Sequence, residues 1–541
     1  MCPKPFRLVL ASALAVGSAM AAQFPHPLPP EKLAGQLIGV GLDAVQGADE
    51  LDLWVGDRSV GLLIAYRSTL EHPERAAALT ARIRSLAPEP SLAPLIAVDQ
   101  EGGSVIRFDP ATLPGAMALG ATGDRDLARR AGAHTGCALR TIGVNTVFAP
   151  VLDLARPGSP LGTRSFGSDP DVVNLLGGAV IAGLGSSGVA AIAKHFPGQG
   201  GAQTDTHRSR SVVGLGEKEL RAADLRPFVA ALSNGVAGVM TAHASYAGWP
   251  GEEGVPATLS KGLITGLLRE ELEYDGLVVT DVLDMPGFGT KEPGELAVRA
   301  IEAGADMVLV VARRYREPVY RAILDAIQSG RLTRARVETS VRRVARIKTA
   351  AMDAPLCRTD PNLALEITRR ALTAIGGPTT VDPGEDLYTG PAGELSRAFR
   401  GRQITIPFSP EDGQIERSAV AMAARIRGVE GKWVAAIHNR GHGKLIASTA
   451  TILDRQPDVL IVLGSPWDVR ELRPTRTIFS FGLSEDSQRG ALEVARGARC
   501  APGRLPVTVE GIGREGEGGR DCVEESEEVE APVSSGDRGS R

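Results

Sequence analysis

Aromatic side chains make up only 4% of the 541 residues, too few for the stacked platforms that bind single-stranded nucleic acid. No apolar run reaches the roughly 18 residues a bilayer span needs, so a polytopic membrane protein is excluded. Charge of one sign is scarce as well. The net charge is −4, and Arg514–Arg541 alone contributes −5, with nine acidic residues against four arginines. The body is therefore close to neutral and carries no electrostatic footprint for DNA or RNA. It suits an uncharged or weakly charged small substrate. The five cysteines include no CxxC pair, which excludes zinc-ribbon and thioredoxin-like chemistry. What is present is ordinary for a folded globular protein: 43% hydrophobic and 23% charged residues. At roughly 100–200 residues per domain, the chain holds two or more units or one large barrel with an addition.

The N-terminus reads MCPKPFRLVLASALAVGSAMAAQ. Lys4 and Arg7 form a basic flank, Leu8–Val16 an apolar stretch, and Ala19-Met20-Ala21 a small-residue cut site. These are the three parts of a secretory signal peptide, in order, over residues 1–21. They predict an exported protein, periplasmic or extracellular, with no membrane insertion after cleavage. A buried N-terminal helix is the alternative, and it leaves the charged flank and cut site as coincidence. Cys137, Cys357, Cys500 and Cys522 remain after cleavage. An oxidising compartment permits a disulfide, but their spacing specifies none, so they read as buried or free thiols.

Short apolar, β-branched runs recur at Leu37–Leu42, Gly61–Tyr66, Pro94–Glu101, Gly143–Pro150, Ala190–Pro197, Gly238–Ser245, Gly276–Leu283 and Met307–Ala312. Segments of helical length and period separate them, among them Glu74–Ser85, Arg125–Thr141, Asp171–Leu184 and Glu292–Ala303. Strands alternating with helices imply a parallel sheet with right-handed crossovers. Eight such units are the number of a (β/α)₈ barrel, predicted here over residues 30–352. A doubly wound open sheet is the competing fold. A smaller α/β sandwich domain is predicted over 360–511, with strands at Ile404–Phe408, Trp433–Asn439, Asp458–Gly464 and Thr477–Phe481. The acidic, Gly- and Ser-rich tail over 513–541 is predicted to be disordered.

In such a barrel the chemistry collects at the C-terminal ends of the strands. The third run ends in Asp99, with Arg107 shortly after, and the fourth is followed by Asp153 and Arg164. The fifth ends in Lys194-His195, with a polar loop carrying Asp205 and His207. The sixth ends in His243 and the seventh in Asp281. Charged groups capping apolar runs are costly to desolvate without a purpose. Asp281 follows Leu277-Val278-Val279-Thr280 and projects into the barrel mouth, where a carboxylate can attack an anomeric carbon. Asp284 is its rival, better suited to capping. An Asp beside a His, as in Asp205 and His207, can form an acid/base dyad. Alternation along a strand would send one of Lys194 and His195 toward the helix layer. Arg107 and Arg164 are candidate clamps on hydroxyls or carboxylates.

The segments VDQEGGSVIRF (98–108), APVLDLA (149–155), GTRSFGSDP (162–170), KHFPGQGGAQTDTH (194–207), VMTAHASY (239–246), PATLS (256–260) and GLVVTDVLDM (276–285) resemble glycoside hydrolase family 3 in content, order and spacing. The resemblance is to its β-N-acetylglucosaminidase branch and runs from Lys32 to Lys348. Residues 360–511, ending in GRLPVTV (503–509), resemble the second domain of longer members. The resemblance implies a retaining double displacement with Asp281 as nucleophile and His207, assisted by Asp205, as acid/base. Asp99, Arg107, Arg164, Lys194 and His195 would hold the sugar. The expectation is no cofactor, no metal and no nucleic-acid partner; the substrate is a small carbohydrate, and of the oligomeric states a monomer is favoured. Terminal β-linked N-acetylglucosamine on peptidoglycan fragments or chitooligosaccharides is the implied target. The family segment reads close to KHFPGHGD, and here Gln199 and Gly201 replace its His and Asp.

Three other functions remain open from the sequence. A metal-dependent barrel hydrolase would want an HxH pair at the end of the first strand, and none follows Leu37–Leu42. A non-catalytic carbohydrate-binding homologue fits the changes at Gln199 and Gly201, and a β-glucosidase-type member of the same family is the third. The run Gly441-His442-Gly443-Lys444 is not a phosphate-binding loop, because Leu445 stands where Ser or Thr is required.

Overall fold

The computed structural model describes residues 27–519, apart from 43–47, 203, 205–208, 285–291, 351–356, 378, 400, 407–413 and 470. Eight strands close a barrel: β1 (Ile38–Leu42), β2 (Leu62–Ala65), β3 (Leu95–Val98), β4 (Thr146–Val147), β5 (Ala190–Phe196), β6 (Gly238–Thr241), β7 (Leu277–Val282) and β8 (Met307–Val310). Every neighbouring pair is parallel, and β1 closes on β8 with Ile38 opposite Val308. Runs such as LLIA, LIAV and MVLV are apolar at every position because helices cover one face and the barrel interior the other. All eight sequence-predicted strands are present, and the open-sheet alternative is excluded by the closure.

The fourth and sixth strands are shorter than the sequence suggests. β6 stops at Thr241, and Ser245–Gly248 instead pairs with Val212–Gly216 in a separate two-stranded ribbon above the barrel. The outer helices start where side chains can cap them. Asp124 accepts from the Leu127 N–H at 2.9 Å to open Arg125–Thr141, and Asp169 accepts from Asp171 at 2.8 Å to open Pro170–Ser186.

The second unit is a six-stranded sheet of β9 (Thr373–Gly376), β10 (Leu387–Pro391), β11 (Gln403–Ile406), β12 (Trp433–Ile437), β13 (Val459–Val462) and β14 (Arg476–Phe479), in the order β9-β14-β13-β12-β10-β11. Only β9 runs antiparallel, against β14. The sequence reading misses β9 and β10, since TAIG and LYTGP are short and carry glycine or proline. The GRLPVTV segment returns to the barrel: Arg504 N–H donates to Ala121 at 2.9 Å and Ser168 N–H to Pro506 at 3.1 Å. The predicted disorder from Gly513 onward is corrected for 513–519. There the Leu505 N–H donates to the Glu517 carbonyl at 2.8 Å, and Glu515 accepts from the Ser168 hydroxyl at 2.9 Å. Residues 520–541 lie outside the described residues.

The reading of free thiols is also corrected. Cys137, in the helix Arg125–Thr141, is bonded to Cys357, with Cα atoms 5.6 Å apart and 220 residues between them in sequence. Cys500 is disulfide-bonded as well. Around the first bridge the segment after the barrel is fastened by charge. Arg130 forks onto Asp360 at 2.8 Å and Glu366 at 2.7 Å, and the Asp360 N–H donates to His134 at 3.0 Å.

At the opposite end of the barrel from the strand C-termini, Lys348 is buried in the last turn of the helix Arg334–Ala350. Its Nζ donates to Gln36 Oε1 at 2.7 Å and to the Ser91 carbonyl at 3.4 Å, both neutral. Burial pushes its pKa down to about 7. The unfolded chain binds this proton up to the ordinary value of 10.5, so between 7 and 10.5 folding releases it. Stability therefore rises with pH through this window and is lowest below 7. Urea unfolding at pH 7 and pH 9 is expected to show a gain of about 2 kcal/mol from this group, absent in Lys348→Met. Equal gains in both proteins would refute it.

Candidate active site

Asp281 sits near the C-terminal end of β7 (Leu277–Val282), after four fully buried residues, and only part of its carboxylate reaches the mouth. Its Oδ1 accepts from the Val282 N–H at 2.7 Å. Burial alone would raise its pKa, but His243, His195, the Val282 N–H and Lys194 together outweigh burial and hold it below the ordinary carboxylate value. These neighbours hold the group as an anion. Asp284, the rival, accepts from the backbone N–H groups of Val311 at 2.9 Å and Ala312 at 2.8 Å. It ties the end of β8 to the β7 loop and is structural.

Lys194 and His195 lie near the end of β5, and both turn into the mouth. The β5–β6 register shifts between Lys194 and Phe196, which breaks the alternation that would have sent one of them outward. Lys194 Nζ lies 2.7 Å from Asp99 and 2.6 Å from Glu101. Burial works against its charge, but the two carboxylates prevail and its pKa is raised. His195 Nδ1 is 2.6 Å from Asp153, which is fully buried and also accepts from the N–H groups of His195 at 3.2 Å and Gln199 at 2.7 Å. A carboxylate at Nδ1 fixes the tautomer and leaves Nε2 for a ligand.

Glu101 joins the two sides of the site. Arg164 grips it with both Nε at 2.8 Å and Nη2 at 2.9 Å. Burial raises the Glu101 pKa, but Lys194 and Arg164 more than offset this and bring it to about 2. Arg164 is thus a clamp on Glu101, one step removed from a ligand. Arg107 differs. Among the described residues it makes no ion pair, and its Nη1 donates only to the Ile106 carbonyl at 3.3 Å. Gln100 holds its backbone, accepting from the N–H of Arg107 at 2.8 Å and of Phe108 at 3.0 Å. The side chain of Asp99 is 29% exposed, enough to accept from a ligand while it holds Lys194. Tyr66 adds a half-buried phenol, its pKa raised by burial and by Asp99 and Asp284.

Asp205 and His207 lie outside the described residues. The base of their loop is built. Gly198 needs its positive φ of 119°, and a Cβ at Gly200 would stand 2.0 Å from the Leu154 carbonyl. Thr204 Oγ1 donates to the Arg210 carbonyl at 3.0 Å, drawing the two flanks of the segment together. At Gln199 the bond to Asp153 is made by the backbone, so the side-chain change leaves it intact. A Cβ at Gly201 would stand 3.2 Å from Val213. Among the described residues no three His, Cys, Asp or Glu side chains form a metal cluster.

The sequence places Asp153, His243 and Glu101 at strand ends without assigning them a role, and it gives no sign of Tyr66. For Glu101 the signal is the acidic pair of VDQEGG flanking one buried lysine.

The glycosyl hydrolase family 3 N-terminal domain matches residues 31–347. The chain belongs to glycoside hydrolase family 3. It is 37% identical over 279 residues to a β-hexosaminidase of Pseudomonas aeruginosa, covering 50% of this chain and 80% of that protein. It is 31% identical over 328 residues to β-hexosaminidase A of Pseudoalteromonas piscicida, covering 56% of this chain but only 55% of that protein's length. Among solved structures, a family 3 β-N-acetylglucosaminidase from a Paenibacillus species superposes with a TM-score of 0.79 at 30% identity, over 89% of this chain and 99% of that one. This family 3 glycoside hydrolase therefore falls in the β-hexosaminidase branch, and both of its structural units have a counterpart in a solved relative.

Proposed function

We propose that the enzyme is an exported, retaining exo-β-N-acetylglucosaminidase that removes terminal β-linked N-acetylglucosamine from peptidoglycan fragments or chitooligosaccharides. The observation that carries this reading is the ionised Asp281 at the end of β7, ringed by His243, His195 and Lys194. A carboxylate so held is a nucleophile rather than an acid. Its Oδ attacks the anomeric carbon as the glycosidic C–O bond breaks. His207, oriented by Asp205, gives its proton to the leaving oxygen. Water then attacks the same carbon, returns a proton to His207, and the bond to Asp281 breaks with retention. Asp99, Arg107, Lys194 and His195 bind the sugar, and Arg164 acts through Glu101.

The names of the relatives support the 2-acetamido sugar, and the signal-like N-terminus and the Cys137–Cys357 bridge support an oxidising compartment. A site built to bond an amide leaves buried polar groups unpaired when it is missing, at about 1–3 kcal/mol each. The nitrophenyl N-acetylglucosaminide is therefore expected to exceed the nitrophenyl glucoside in kcat/KM by on the order of 10²-fold. Equal turnover of the two, or preference for the glucoside, would show the sugar assignment to be wrong.

A further inference from the structure

The segments VMTAHASY and PATLS carry residues that the reaction scheme leaves unused, and they meet beside Val282, the residue that follows Asp281. His243 follows the end of β6 and is 2% exposed. Its Nδ1 lies 2.8 Å from the Thr258 hydroxyl, and its Nε2 lies 2.9 Å from the Val282 carbonyl. A carbonyl only accepts, so Nε2 carries a proton and donates. Thr258, fully buried, is fixed in turn by the Thr241 hydroxyl at 2.9 Å and the Ala242 carbonyl at 3.0 Å. The imidazole is thus held at both nitrogens. Val282, whose carbonyl it grips, is the same residue whose N–H donates to Asp281 at 2.7 Å.

We propose that His243, clamped by Thr258, is the positioning residue of the nucleophile, fixing Val282 so that its N–H aims the Asp281 carboxylate and supplying positive charge that keeps that carboxylate ionised. This rests on the reading of Asp281 as nucleophile. Among the described residues, the side chains that most lower the Asp281 pKa are His243, His195 and Lys194. His243 comes from the β6 end, and His195 and Lys194 come from β5. The charge of Lys194 is shared with Asp99 and Glu101, and Nδ1 of His195 is held by Asp153. His243 bonds to the Thr258 hydroxyl and the Val282 carbonyl, and of the three side chains it has the largest effect on Asp281. Thr258 explains why a threonine stands in the PATLS turn: a hydroxyl there fixes the ring, and a methyl in its place would not.

The test is the pH profile of kcat/KM for the nitrophenyl N-acetylglucosaminide, measured on the whole chain. His243→Gln keeps a donor for the Val282 carbonyl but removes the charge. Its acid limb is expected to move up by about one pH unit, since a nearby opposite charge shifts a carboxyl by roughly 1–3 units. Activity well below that limb falls about tenfold, with KM changed less than twofold. Thr258→Val, which leaves the imidazole in place but loosens it, is expected to move the limb the same way by a smaller amount. Thermal unfolding of each variant separates lost fold from lost positioning, and Thr258→Val carries the test if His243→Gln does not fold. An acid limb that stays put in a folded variant overturns the proposal. Unimpaired turnover by Asp281→Ala would instead overturn the nucleophile assignment on which it rests, so the two failures are distinct.

Discussion

Asp281→Ala is expected to lower kcat by on the order of 10⁴-fold or more, the scale seen when a covalent nucleophile is deleted while binding groups remain. Binding should survive, because Lys194 is held by Asp99 and Glu101 and His195 by Asp153, with no bond of these running through Asp281. KM or inhibitor affinity is therefore expected to change little while kcat collapses. A slow fluorinated glycoside should label the peptide containing Asp281 in the parent enzyme and nothing in the variant. Azide, small enough to enter the space left by the carboxylate, should restore part of the turnover of an activated substrate and give an azide glycoside of inverted configuration. Labelling at Asp284 is not expected, since both of its oxygens are engaged by Val311 and Ala312. Label found on Asp284 or Asp99 would refute the assignment.

The barrel was legible because a parallel strand covered on both faces leaves an unbroken apolar run, and eight such runs separated by helical segments admit few arrangements. Asp281 was legible for a related reason: it interrupts such a run at its C-terminal end, where burial of charge demands a use. What escaped the sequence depends on departures from regular geometry or on distance along the chain. Alternation could not bring Lys194 and His195 to the same side, and it took the register shift beside Phe196 to do so. The pairing of Cys137 with Cys357 spans 220 residues and has no local signature. β10 (Leu387–Pro391) hides behind a glycine and a proline. The 513–519 stretch reads as acidic tail because its order comes from backbone bonds to Leu505 and Thr508 and from the Ser168 hydroxyl, none of which composition records.

Removing Glu101 is expected to damage both stability and the sugar site, and the two can be separated by pH. Glu101→Ala leaves Lys194 with Asp99 alone and strips Arg164 of both of its bonds, in a place where the lysine side chain is 3% exposed. Breaking one partner of a buried charge network costs about 3–5 kcal/mol. Glu101→Gln keeps the shape but not the charge. The folded-state pKa of about 2 is depressed from the usual 4.5, so this group's contribution is present above 4.5 and lost as pH falls toward 2. The gap of some two and a half pH units corresponds to about 3 kcal/mol. The parent should therefore lose stability between pH 4.5 and 2 more steeply than Glu101→Gln, and the two curves should converge at the acid end. At neutral pH the variant should also bind N-acetylglucosamine more weakly, because Lys194 and Arg164 no longer share an anchor that fixes where their donors point. Acid-unfolding curves of equal slope would show that Glu101 is not the anion holding these two cations, while unaltered sugar binding in a destabilised Glu101→Gln would confine its role to the fold.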